Sequence, residues 1–135
     1  MAILDSFRET IINEKKNYIW RIRLATNDES PGTDFNPATL NEVTDVGYAA
    51  QVQTLGTGQD IEFGATTTVA GETTATANSA KIFDFTRTLS VNMMYVTVDR
   101  GSGEEVYQVE RLANAPWSDG DGDLSITFTL RDSSS

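Results

Sequence analysis

From Asn17 onward the chain keeps returning to one pattern, an apolar residue at every second position. In NYIWRIRLAT, Tyr18, Trp20, Ile22 and Leu24 fall on one side and Ile19, Arg21 and Arg23 on the other. In LSITFTL, Leu124, Ile126, Phe128 and Leu130 alternate with Ser125, Thr127 and Thr129. Successive side chains of an extended strand point to opposite faces, so a period of two marks a strand with one face in a core. SVNMMYVTV is apolar on both faces, which predicts cover on each side. KIFDFTRT sets Phe83 and Phe85 on one face, and DRGSGEE supplies the glycines of a hairpin whose return strand is EEVYQVERL. VGYAAQVQT reads as a strand opened by Gly47, and QDIEFGA follows the turn LGTG. The Thr-rich run over 66–76 suits a pleated surface and breaks at an Ala70-Gly71 turn. Seven or eight short strands separated by turns predict a mainly β chain, an antiparallel β-sandwich of jelly-roll type.

The N-terminus breaks the pattern. Ile3, Leu4, Phe7, Ile11 and Ile12 recur at helical spacing, with Arg8, Glu9, Glu14 and Lys15 turned away, so a helix is predicted over 3–15. A helix this short is marginal alone in water, and its apolar stripe must dock on its own domain or on a neighbouring subunit. The expected organisation is a helix over 1–16 and a single β domain over 17–135. Within the latter, a long loop at 26–42 carries Phe35 and Leu40 as anchors. Loops of that length inside a compact domain commonly bind or wrap something. Arg21 and Arg23, on the polar face of the first strand, either meet a partner's carboxylates or pair with acidic neighbours.

Composition narrows the chemistry. The chain has 135 residues, no cysteine and no histidine. Disulfides, thiolate metal sites, cysteine nucleophiles and Ser-His catalysis are therefore absent. Twenty acidic against ten basic residues give a net charge of -10, which repels a phosphate backbone and argues against nucleic acid as a ligand. It also suits solubility, a basic partner surface or, with only three lysines (Lys15, Lys16, Lys81), adaptation to high salt. No apolar run is long enough for a membrane helix, and the acidic N-terminus does not read as a secretion signal. No cofactor is expected.

The stretch WSDGDGDLSITFTL raises the question of calcium, because Asp119, Asp121 and Asp123 alternate. Counted as an EF-hand loop from Asp119, the glycine position falls on Leu124 and the bidentate acid on Leu130, both on the apolar face of the last strand. The sequence reads instead as a turn, with Gly120 and Gly122 taking conformations other residues avoid and no metal assigned. Gly56-Thr57-Gly58 and Gly101-Ser102-Gly103 are short turns without the context of a phosphate loop. Glu104 and Glu105 are adjacent, which does not supply the cleft that glycoside hydrolysis needs. No catalytic residue is assigned. A sugar-binding or receptor-binding module is the reading from another class, with Trp20, Trp117, Tyr48, Tyr95 and Tyr107 as candidates. Trp117, beside Pro116 in a turn, is the one expected outside the core.

The order of short motifs carries a resemblance. Gly47-Tyr48-Ala49-Ala50-Gln51, then Asn78-Ser79-Ala80 ahead of Phe83 and Phe85, then Asp99-Arg100-Gly101, then Gly122-Asp123 before the last strand follow an N-terminal amphipathic helix. This order resembles a group of small structural proteins of tailed bacteriophages. The chain departs from the group at Ala50, where arginine is usual, and lacks a tryptophan after the Phe strand. The resemblance implies a non-enzymatic virion component with a β-sandwich body, assembled in the host cytoplasm. It would be a capsid cement or decoration protein bridging major capsid subunits, or else a tail, baseplate or fibre-adaptor part, and in either case a homo-oligomer. Its expected contacts with other virion proteins are Ile3, Leu4, Phe7, Ile11, Arg21, Arg23 and Phe35.

Overall fold

The computed structural model describes residues 3–133, so positions 1–2 and 134–135 of the two expected spans lie outside the described residues. The fold is mainly β and sandwich-like; among the described residues one α-helix, α1 (Asp5–Lys15), precedes nine short strands. Strands β1 (Ile19–Ala25), β2 (Thr54–Leu55), β6 (Met93–Asp99) and β7 (Glu104–Arg111) form an antiparallel sheet in the order β2-β1-β6-β7. A second sheet runs β3-β4-β9, from Thr67–Val69, Glu72–Thr76 and Thr129–Ser133, and a third pairs β5 (Lys81–Phe83) with β8 (Leu124–Ile126).

The main core draws on residues from Ile12 to Leu130. Trp20, Ile22 and Leu24 enter it from β1, and Met94, Val96 and Val98 from β6. Aromatic rings link the layers: Trp20 lies 5.5 Å from Phe128, Tyr48 6.0 Å from Phe83, and Phe85 5.5 Å edge-on to Trp117. A smaller cluster of Ala25, Met93 and Tyr95 occupies the opposite face of the four-stranded sheet, under Phe35 and Leu40 of the long loop. Both predicted loop anchors thus sit where expected. Strand β6 is buried on both faces, as its double apolar pattern predicts.

Several expectations need correction. α1 begins at Asp5, with Ile3 and Leu4 outside it. The helix buries Arg8 and Ile12 and leaves Ile3, Leu4 and Phe7 in solvent. The buried face is turned roughly a quarter-turn from the apolar stripe, at about 100° per residue. Arg8 is inside with both terminal nitrogens engaged, Nη1 donating to the Ile3 carbonyl at 2.7 Å and Nη2 binding Asp5, while its Nε is buried without a partner among the described residues. VGYAAQVQT is not a strand. Gly47 has φ +92° and Ala49–Gln51 form a 3-10 turn. Side chains do the work of a ladder there: Tyr48 Oη accepts from the Leu24 amide at 3.0 Å, and Gln51 exchanges two hydrogen bonds with the Asp84 backbone. QDIEFGA makes only isolated bridges, at Ile61 and Phe63. LSITFTL is split: all four alternate apolar residues are buried as expected, but Leu124–Ile126 pair with β5 while the chain from Thr129 pairs with β4.

The predicted turns hold. Ala70 (φ +51°) and Gly71 (φ +81°) join β3 to β4, and the β6–β7 hairpin closes with Asp99 Oδ1 accepting from the Gly101 amide at 2.8 Å. Gly56 has a role of its own. It has φ +144°, and a Cβ there would collide with the Tyr18 carbonyl.

Candidate functional site

The residues expected to touch partners fall into two separate patches. The first is the N-terminal segment. Ile3 is 46% exposed, Leu4 69% and Phe7 59%. The Arg8 guanidinium fixes this segment by holding the Ile3 carbonyl and Asp5, so the apolar side chains stand on an anchored support. Ile11 differs from them. It is half-buried and lines a cavity of about 340 Å³ with Tyr18, Trp20, Val98 and Tyr107.

The second patch is the outer face of the four-stranded sheet. Arg21 and Arg23 project there from β1 and are both engaged. Arg23 Nε donates to Glu104 at 2.6 Å and its Nη1 to Glu42 at 2.9 Å, while Arg21 reaches Glu104 at 3.4 Å. Thr97 also donates to Glu104, at 2.5 Å. The hydrogen bond from Arg23, more than any other cause, holds the Glu104 carboxyl below the usual range, and the same contact raises the Arg23 guanidinium. Pairing with acidic neighbours, the second of the two roles offered for these arginines, is the arrangement present. Glu42 continues the network by accepting from Tyr48 Oη at 2.7 Å. Burial pushes the phenols of Tyr48 and Tyr95 upward. Phe35 packs on the Ala25, Met93 and Tyr95 cluster of the same face and borders a groove of about 500 Å³ along β7.

The aspartate turn is organised around Arg87, a residue the sequence reading passed over. Asp119 Oδ1 accepts from the Arg87 amide at 3.2 Å, and Asp121 Oδ2 accepts from the Ser118 amide at 2.8 Å. The buried Arg87 guanidinium lies 3.7 Å over the Trp117 ring and donates to the carbonyls of Phe85, Ser118 and Gly122. Gly120 and Gly122 have φ of +92° and +81°, as the turn requires. Trp117, expected outside the core, is fully buried, with its Nε1 donating to Gly122 at 3.1 Å. The physical reason is that the turn folds over the ring and satisfies the indole. Trp20, Tyr48 and Tyr95 are buried too, so among the five aromatic candidates Tyr107, 44% exposed, is the accessible one. It packs edge-on to Trp20 at 4.9 Å, with Lys15 5.8 Å from its ring.

Among the described residues no group of three or more acidic side chains is placed to hold a metal ion, and no helix is long and apolar enough to cross a membrane. Every arginine is in an ion pair, so the chain's surplus charge is carried by carboxylates. Parity gave a signal for Arg87: Lys81, Phe83, Phe85 and Arg87 share one face, and all four are buried. Glu104 had no such signal, since its partners lie on β1 and β6.

No protein-family model, curated protein or solved structure matches this chain.

Proposed function

We propose that this chain is a non-enzymatic structural component of a tailed-bacteriophage virion, a cement or decoration protein that stabilises the shell by bridging neighbouring capsid subunits. One observation carries the reading: the apolar side chains of Ile3, Leu4 and Phe7 face solvent on a segment anchored by Arg8. An apolar stripe left uncovered by its own fold gains free energy only by docking on another surface. Repeated over many copies on a shell, a patch of this size holds through multivalency. The carboxylate surplus favours a basic docking surface. The order of motifs described above adds the virion context.

The test replaces the three side chains together, Ile3→Ser, Leu4→Ser and Phe7→Ser, and measures incorporation into particles. Removing residues 1–16 would be a poorer choice, because Arg8 and Ile12 belong to the folded body. The triple variant is expected to keep its melting temperature within a few degrees and to lose most of its incorporation. Undiminished incorporation overturns the reading, and locating the chain in an intact particle separates shell from tail.

A further inference from the structure

Strand β7 ends its sheet, and no hydrogen bond from any described residue reaches its backbone on the side away from β6. An open edge of eight residues is a template for another strand. The register identifies which strand fits. Residues directly opposite share a face, so β7 residues paired with core-facing Val96 and Val98, namely Gln108 and Glu105, lie on the main-core face. Val109 and Val106, paired with Tyr95 and Thr97, lie on the outer face. Between Val96 and Thr97 the register shifts by one residue, and the extra residue is Tyr107, which packs on Trp20 from the main-core side. Tyr107 and Gln108 are therefore neighbours on the same face. A regular strand added along the whole of β7 would fall out of phase at this bulge.

A second β7 carries the same irregularity. We infer that two copies of this chain associate through antiparallel β7–β7 pairing about a two-fold axis passing between Tyr107 and Gln108. In that register Val106 faces the partner's Val109 and Glu104 faces the partner's Arg111, on the outer face. Tyr107 faces the partner's Gln108 on the other, so each opposed pair shares a face through the bulge. The outer-face pattern Glu104, Val106, Val109, Arg111 is complementary to its own reverse, the condition for an isologous interface. Glu105 facing the partner's Glu110 is the unfavourable pair, and Arg100 already binds Glu105 at 3.1 Å. The grooves on the two sides of β7, about 330 Å³ over Met94 and Phe128 and about 500 Å³ beside Phe35, leave room along both faces of the added strand. Each copy carries a net charge of -10, so association strengthens as salt screens the repulsion. The inference rests on the β7 edge alone and is independent of the virion role.

The chain has no cysteine, which gives a clean background for cross-linking. Two variants, Val106→Cys and Val109→Cys, are purified and oxidised separately and as a mixture. The expected result is a disulfide-linked dimer in the mixture, several-fold more abundant than in either variant alone, because only 106 and 109 are directly opposed. Absence of that dimer, or equal amounts in all three samples, overturns the inference. Sedimentation of the unmodified chain is expected to show a dimer whose fraction rises with ionic strength, and a chain that is monomeric at every salt concentration likewise overturns it. Particle incorporation is a separate readout, so failure here and failure of the virion reading are distinguishable.

Discussion

Strands β6 and β7 are neighbours in one sheet and pair over nearly their whole length, yet their surroundings are opposite. Every residue of β6 except Asp99 is buried, and no residue of β7 is. Both have apolar residues; the difference is position in the ladder. β6 has strands on both sides, the main core on one face and the Phe35 loop cluster on the other. β7 has a neighbour on one side only, and its main-core face carries Glu105, Gln108 and Glu110 where β6 carries Val98, Val96 and Met94. A strand becomes core through what its neighbours cover, and β7, at the end of its sheet, lacks that cover on one side.

Substitutions in the two strands put that contrast at risk. The largest effect is expected at Met93, fully buried in β6: Met93→Ala should lower stability by about 2–5 kcal/mol, read from the urea midpoint at unchanged slope. A cost below about 1 kcal/mol would mean that the outer cluster is not a true core. A smaller effect belongs to Glu104, which ties β7 to β1 through Arg23 and Arg21. Glu104→Gln should cost about 1 kcal/mol at neutral pH. Its signature is the pH dependence. The carboxyl sits below its usual range when folded, so its contribution is fully present above the unfolded carboxylate pKa and is lost as pH falls through the lower folded value. The variant's stability curve should therefore be flatter on the acid side, and an unchanged acid limb would show that the Arg23 contact contributes nothing. The smallest effect is expected for Gln108→Ala on the open strand, within about 0.5 kcal/mol when measured at a dilution that keeps the chain monomeric. A loss matching that of Met93 would erase the distinction between the strands.

The parts of the fold legible in advance were those fixed by local alternation and turn chemistry. Trp20, Ile22 and Leu24 point inward from β1, and Leu124, Ile126, Phe128 and Leu130 are buried as their spacing requires. The Ala70-Gly71 and Gly101-Gly103 turns fall where glycine permits them. Errors came where buried polar groups find partners that the period of the side chains does not encode. Arg8 took an inward position with its two terminal nitrogens held by the Ile3 carbonyl and Asp5, and the apolar side chains of Ile3, Leu4 and Phe7 face solvent. Tyr48 and Gln51 hold a turn that resembled a strand, by bonding to Leu24 and Asp84. Trp117 was drawn inside by Arg87 and the Gly122 carbonyl.

The sequence by itself determined a mainly β chain with a helical start, because side-chain period and glycine placement are properties of consecutive residues. It also determined a chain without thiol or imidazole chemistry. Only the tertiary structure decided which sheet each half of the last strand joins, which arginines are paired, which aromatic stays accessible and which strands stand at the ends of their sheets. Those outcomes depend on specific contacts, many between residues tens of positions apart, and burial of a polar group is set by whether such a contact exists, which the period of the side chains does not encode.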